Sequence, residues 1–172
     1  YINRLYAMVA RNITPPFSFT CFTETREGIR PEVRCFDLPP MPGKIPEVSK
    51  GQWRKSCLWG PALGDLEGPV LFIDLDVVIT GSIDGFFDHA PDASYCVIEN
   101  WTQPGSGIGN TSVFRLDAGS HQEVYDTLMA DPAGTVGRHP NSQTFQSRTI
   151  SSRVCWPAKW CVSFKHTLVP KF

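Results

Sequence analysis

Apolar residues at Ile2, Leu5, Tyr6 and Val9 fall at i, i+3, i+4 and i+7, so the chain opens on an amphipathic helix over residues 1 to about 11. Thr14-Pro15-Pro16 stops it. Phe17 to Thr23 reads as a short aromatic and apolar strand, Glu24 to Pro31 as a polar loop, and Val33 to Leu38 as a second strand closed by Pro39-Pro40. Met41 to Lys50 is loop, and Trp53 to Leu63 is a short helix weakened at its end by Gly60-Pro61. Gly64 to Pro69 turns the chain into a strongly apolar strand at Val70. Asp84 to Asp88 reads as a helical turn, Ser94 to Glu99 as a strand, and Thr111 to Leu116 as another. Between these strands lies a glycine-containing loop, Trp101 to Asn110. Ser120-x-x-Glu123 has the capping-box pattern and opens a helix through about Ala130, ended by Asp131-Pro132. Pro140 to Ser151 is a helix and Trp160 to Phe164 a final strand. Strands alternating with helices imply an α/β sheet.

The stretch Val70 to Asp84, VLFIDLDVVITGSID, organises the rest. Short apolar runs rich in β-branched residues are the mark of a strand buried on both faces. A lone carboxylate is costly in such a strand. Asp74 and Asp76 therefore mark where the strand leaves the sheet and reaches a cleft. In open α/β sheets ligands bind outside the carboxyl ends of strands. Two side chains two apart on extended backbone share a face. Two hard oxygen donors on one face suit Mg²⁺ or Mn²⁺, with positions left for water and phosphate oxygens. The bland alternative is a strand end with two solvated aspartates.

At 172 residues the expectation is a single domain spanning 1–172, with a sizeable core. Apolar residues at 41% and charged residues at 19% place the chain among globular proteins. A net charge of -1 without a basic run argues against nucleic acid or an anionic membrane as partner. No stretch approaches a membrane span, and signal-peptide organisation is absent. None of the six cysteines stands in C-x-x-C spacing, which argues against a zinc ribbon. Cys155 and Cys161 bracket a turn across which a pair is conceivable, but the rest reads as cytoplasmic.

Three stretches carry a family resemblance. Trp53-Arg-Lys-Ser-Cys-Leu-Trp, followed by the D-L-D strand and by Gly81-Ser-Ile-Asp-Gly-Phe, is the first. Gly109-Asn-Thr-Ser-Val-Phe-Arg is the second and Asn141-Ser-Gln-Thr-Phe the third. Their order resembles the metal-dependent nucleotide-sugar glycosyltransferases of GT-A fold, in the glycogenin-like and bacterial galactosyltransferase-like branch. The likeness covers roughly residues 50 to 150. It implies one α/β domain with a mostly parallel central sheet flanked by helices.

The resemblance further implies a retaining hexosyl transfer from a nucleotide-diphosphate sugar, UDP-linked, to a carbohydrate, lipid or protein acceptor. Asp74 and Asp76 would hold Mn²⁺ or Mg²⁺, with His166 as third ligand. Asp74, Lys55, Asn110 and Lys165 would contact the donor, and Gln143 would lie at the reacting face. Lys55 would serve the donor more than stability. Each has a plainer reading: Lys55 a solvated helix lysine, Asn110 a turn residue, Gln143 an exposed glutamine, His166 a solvated histidine. Two departures stand out. Ser142 falls where the family has an Asp. The family's first strand, which grips the nucleotide base, would precede Tyr1, and the amphipathic stripe of the first helix needs such a strand to pack beside. The expectation is a chain trimmed at its ends. The rival readings are a non-catalytic sugar-nucleotide or carbohydrate-binding domain on the same fold, which Ser142 favours, and a Mg²⁺-dependent D-x-D phosphohydrolase, which lacks its late acidic pair here.

Overall fold

The stripe Leu5 and Val9 is buried on α1 (Ile2–Asn12), which ends where Ile13 turns extended ahead of the two prolines. The computed structural model describes residues 1–43, 45 and 53–168. The loop expected over Met41 to Lys50 lies in part outside the described residues. After α1 come β1 (Phe19–Phe22), β2 (Val33–Phe36), a 3-10 helix α2 (Arg54–Trp59), β3 (Pro69–Ile73) and the short α3 (Gly85–Asp88). There follow β4 (Tyr95–Glu99), β5 (Gly109–Asp117), α4 (Gln122–Ala130), α5 (Pro132–Arg138), α6 (Ser142–Thr149) and β6 (Val154–Cys155). A π-helical turn, Phe164–Leu168, closes the described chain.

The chain is an α/β domain, but its sheet is mixed rather than mostly parallel. β1 and β2 pair in parallel as a separate ribbon. The larger sheet has the order β3-β5-β4-β6, with β5 antiparallel to both β3 and β4, and β6 parallel to β4. The reason is the connection. Between β4 and β5 the chain makes only turns over 100–108 and no helix. A parallel return needs a crossover of about a dozen residues or more, whereas a short link brings the chain back antiparallel.

The sheet buries both faces, as side-chain alternation requires. Tyr95, Val97, Phe114 and Leu116 meet Trp53, Trp59, Leu128 and Phe145 on one side. Cys96, Ile98 and Val113 meet Val9, Phe86 and Trp156 on the other. At Gly109 a Cβ would lie 2.6 Å from Val97 Cγ1, beside the register shift in the β4–β5 ladder, so only glycine lets the two strands close there.

Three local expectations are corrected. Trp160 to Phe164 forms no strand, because the Trp160 ring packs against Phe86 and His89, at 5.2 and 5.6 Å between centroids. The pairing with β4 is made instead by Val154–Cys155. Ser120 does not cap α4: the N-cap is His121, in a left-handed conformation at φ 49°, and the Glu123 carboxylate meets His121 Nδ1 at 3.0 Å. Asp131-Pro132 ends α4 and also starts α5, since Asp131 Oδ1 accepts the Gly134 N–H and proline suits the first turn. All six cysteines are free thiols.

Candidate functional site

β3 delivers its carboxyl end to the surface, and the acidic pair begins one residue beyond it. The strand ends at Ile73, and Asp74 N–H makes one more bond to Ser112 O at 2.8 Å. The backbone then turns, with Val77 N–H on Asp74 O at 3.2 Å. Asp74 and Asp76 thus lie on a turn rather than on extended strand, so the shared-face argument from alternation does not apply. Asp74 is partly buried and Asp76 exposed. The difference follows from position, since Asp74 still sits against β5 and Asp76 lies past it.

Lys55 arrives from α2. Its Nζ donates to Asp74 Oδ2 at 2.6 Å and to Thr111 O at 3.0 Å, and stands 5.3 Å from the centre of the Phe72 ring. The side chains of Lys55 and Asp74 are each 24% exposed. Lys55 is therefore not the solvated helix lysine of the plainer reading: its ammonium is engaged by protein groups. Burial pushes the Asp74 carboxyl above its usual range, Lys55 pulls it back by hydrogen bond and charge, Asp76 raises it further, and the Ser112 hydroxyl lowers it. The net direction is upward.

Thr111 is the shared hinge of the site. Its carbonyl takes Lys55, and its N–H donates to Gln143 Oε1 at 3.4 Å. Gln143 lies in the first turn of α6, which starts at an Asn141 cap whose Oδ1 accepts the Thr144 N–H at 2.8 Å. The structure therefore brings Lys55, Asp74 and Gln143 together around one residue of β5. Asn110, the neighbour of Thr111, uses its Oδ1 to accept the Ser112 N–H at 3.0 Å. Ser142 is buried at 4% exposure.

Lys165 and His166 stand apart from this group in character. Both are exposed on the C-terminal π-helical turn. Among the described residues no three or more His, Cys, Asp or Glu side chains gather as a metal site, so Asp74, Asp76 and His166 do not form a three-ligand set. What remains for a cation is narrower. Asp74 is already held by Lys55 and Ser112, whereas the Asp76 carboxylate takes no hydrogen bond or ion pair among the described residues. A hard cation that keeps several waters and needs one or two carboxylates plus phosphate oxygens fits such a pair.

Residues not singled out by the sequence set this geometry. Trp59 Nε1 donates to Gln146 Oε1 at 3.0 Å, and Gln146 Nε2 reaches Ser56 Oγ at 3.5 Å, with all three residues fully buried. That bridge fixes α2, which carries Lys55, against α6, which carries Gln143. Ser147 Oγ accepts the Gly109 N–H at 2.9 Å and fixes α6 to the start of β5. Only the spacing Gln143/Gln146, one turn apart, hinted at this in the sequence. Arg115 is 1% exposed and donates to the carbonyls of Phe86, Phe87, His89, Ala90 and Ala93, gathering the α3–β4 connection onto β5.

Compared with known proteins, the chain matches no family model, no curated sequence and no solved structure. Among the described residues no helix is long and apolar enough to cross a membrane.

Proposed function

We propose that the turn after β3 binds a nucleotide-diphosphate sugar together with a divalent cation, and that the protein transfers the hexose to an acceptor. One observation carries this reading. An acidic turn at the carboxyl end of β3 has one carboxylate pinned by Lys55 and the other without a hydrogen bond or ion pair among the described residues, with Gln143 one residue of β5 away. Asp76, backed by Asp74, would hold Mg²⁺ or Mn²⁺. When bound, such a cation neutralises a diphosphate and stabilises it as a leaving group. Lys55 holds Asp74 in place and adds positive charge near the phosphates. Gln143, anchored through its Oε1, turns its amide N–H donors to sugar hydroxyls.

A thermal-shift series with UDP-hexoses, with and without Mn²⁺, tests the reading. Stabilisation that requires both ligands is the expected result, since a ligand that binds only the folded state raises its stability. Asp76→Asn is expected to abolish the Mn²⁺-dependent part and leave the unliganded melting temperature unchanged. A variant that keeps the full shift would remove Asp76 from the site. A second reading, binding without transfer, is favoured by Ser142, a buried hydroxyl where the family that the sequence resembles has an Asp. Release of free hexose from a UDP-hexose separates the two, because a binding domain is stabilised by the donor but does not consume it.

A further inference from the structure

The two sheets face each other across an open lane. β1 and β3 belong to different sheets, and among the described residues no strand lies between them. A cavity of 740 Å³ runs there, lined by every residue from Phe17 to Phe22 and every residue from Pro69 to Leu75. Side chains alternate along a strand, so a strand that presents a face lines a cavity with every second residue. An unbroken run on both walls means that both strands meet the cavity edge-on.

The backbone phase agrees. Across β3–β5, Asp74 N–H bonds Ser112 O and Ala118 N–H bonds Gly68 O. Paired and unpaired residues alternate in an antiparallel ladder, so Val70 and Phe72 also point to β5, while the N–H and C=O groups of Leu71 and Ile73 point into the lane. On the other wall Thr23 N–H bonds Phe36 O, so Phe19 and Cys21 point to β2, and the backbone of Thr20 and Phe22 points into the lane. The Thr20 hydroxyl is buried there without a hydrogen-bond partner among the described residues. Both faces of the lane are roofed. Val9 and Ile13 of α1 and its exit pack with Phe19, Leu71 and Ile73 on one side. Leu58 and Leu63 pack with Phe22, Val70 and Phe72 on the other. These groups have no backbone partner among the described residues; unpaired backbone under two apolar roofs is costly, and a strand is the element that satisfies it from both edges.

We propose that this lane holds one further β-strand, supplied by the same polypeptide directly ahead of α1. It hydrogen-bonds to Thr20 and Phe22 on one edge and to Leu71 and Ile73 on the other, joining the two sheets into one. Its residues form an unbroken apolar run of about five, because both faces are covered and β3 beside it has that length. The source follows from α1. Ile2, at its start, lines the lane, and the helix then covers one face of the lane and delivers the chain to β1 at the lane's edge. A strand, a helix packed across it and a neighbouring strand form the usual crossover unit. Nothing in this depends on nucleotide or metal.

The test compares the 172-residue chain with the same chain extended by the residues its gene encodes ahead of Tyr1, with no ligand present. Hydrogen exchange is read at the amides of Thr20, Phe22, Leu71 and Ile73. In the longer protein these are expected to exchange about 100-fold more slowly, while Phe72, already paired with β5, changes little. Leu71→Pro removes a donor to the lane but none to β5, and in the longer protein it is expected to return Thr20 and Phe22 to fast exchange. Equal exchange in the two lengths, full protection in the proline variant, or a gene without codons for an apolar strand ahead of Tyr1 would each overturn the proposal. Protection of the short chain that grows with its concentration would also overturn it, by assigning the lane to a second copy.

Discussion

Asp74 is raised by burial and lowered by Lys55, and the balance leaves its carboxyl above the usual range. A carboxyl raised in the folded state holds its proton more tightly there than in the unfolded chain. The stability it contributes is then fully present at acid pH and is lost as pH rises through the folded value. Asp74→Asn removes that titration. The stability of the parent minus that of the variant is expected to fall as pH rises through and above the ordinary carboxylate range, whatever the offset between them. Urea unfolding from acid to neutral pH measures it, and a difference that rises with pH would refute the assignment. Lys55→Ala leaves Asp74 without its cation and Thr111 O without a donor. The expected cost is about 2 kcal/mol, the scale of a hydrogen bond to a charged group, rather than a surface-like change. Denaturant unfolding at neutral pH checks it.

At the scale of elements, the site depends on how α2 and α6 are fixed against β5. The buried bridge Trp59–Gln146–Ser56 does this with side-chain hydrogen bonds, and Ser147 and Gly109 add a bond from helix to strand. Gln146→Leu keeps the volume roughly but leaves the Trp59 indole N–H unpaired in the core. It is expected to destabilise by about 1–3 kcal/mol, measured by chemical denaturation. It is also expected to weaken the Mn²⁺-dependent donor shift, although Gln146 lies behind the site, because Lys55 and Gln143 lose their common reference. A variant as stable as the parent would show that the bridge contributes nothing.

Across the whole molecule, segments far apart in sequence are tied near the acidic turn. Asp84 Oδ1 accepts the Thr14 N–H at 2.8 Å and Ile83 N–H bonds Asn12 O at 2.8 Å, joining the end of α1 to the chain that follows the D-L-D turn. The Thr14 backbone N–H, followed by the Thr14 and Ser82 side chains, holds the Asp84 carboxyl below its usual range. For a lowered carboxyl the sign reverses: its stabilisation is present above the unfolded value and is lost as pH falls through the folded one. Asp84→Ala is expected to be less stable than the parent at neutral pH, with the gap closing as pH falls below the ordinary carboxylate range. Thermal unfolding across that range checks it, and a gap that widens in acid would refute the tie.

The sequence by itself determined where most elements lie. The 3.6-residue stripe of α1, the apolar run of β3 and the prolines after Ile13 and Leu38 are local signals, and local sterics and burial settle them. It also placed Asp74 just outside a strand, because a buried strand excludes an unpaired carboxylate. Strand direction was not local. β5 runs antiparallel because the chain between it and β4 has no crossover helix, so the mostly parallel sheet that the family resemblance implied did not form. Lys55 and Gln143 were singled out from the sequence, but that both meet at Thr111 depends on a register between β3 and β5 and on two helices held by a buried glutamine. Those contacts join residues many positions apart, and no pattern along the chain encodes a distance between them. For the same reason the lane between β1 and β3 became visible only once two separate sheets stood with their open edges toward each other.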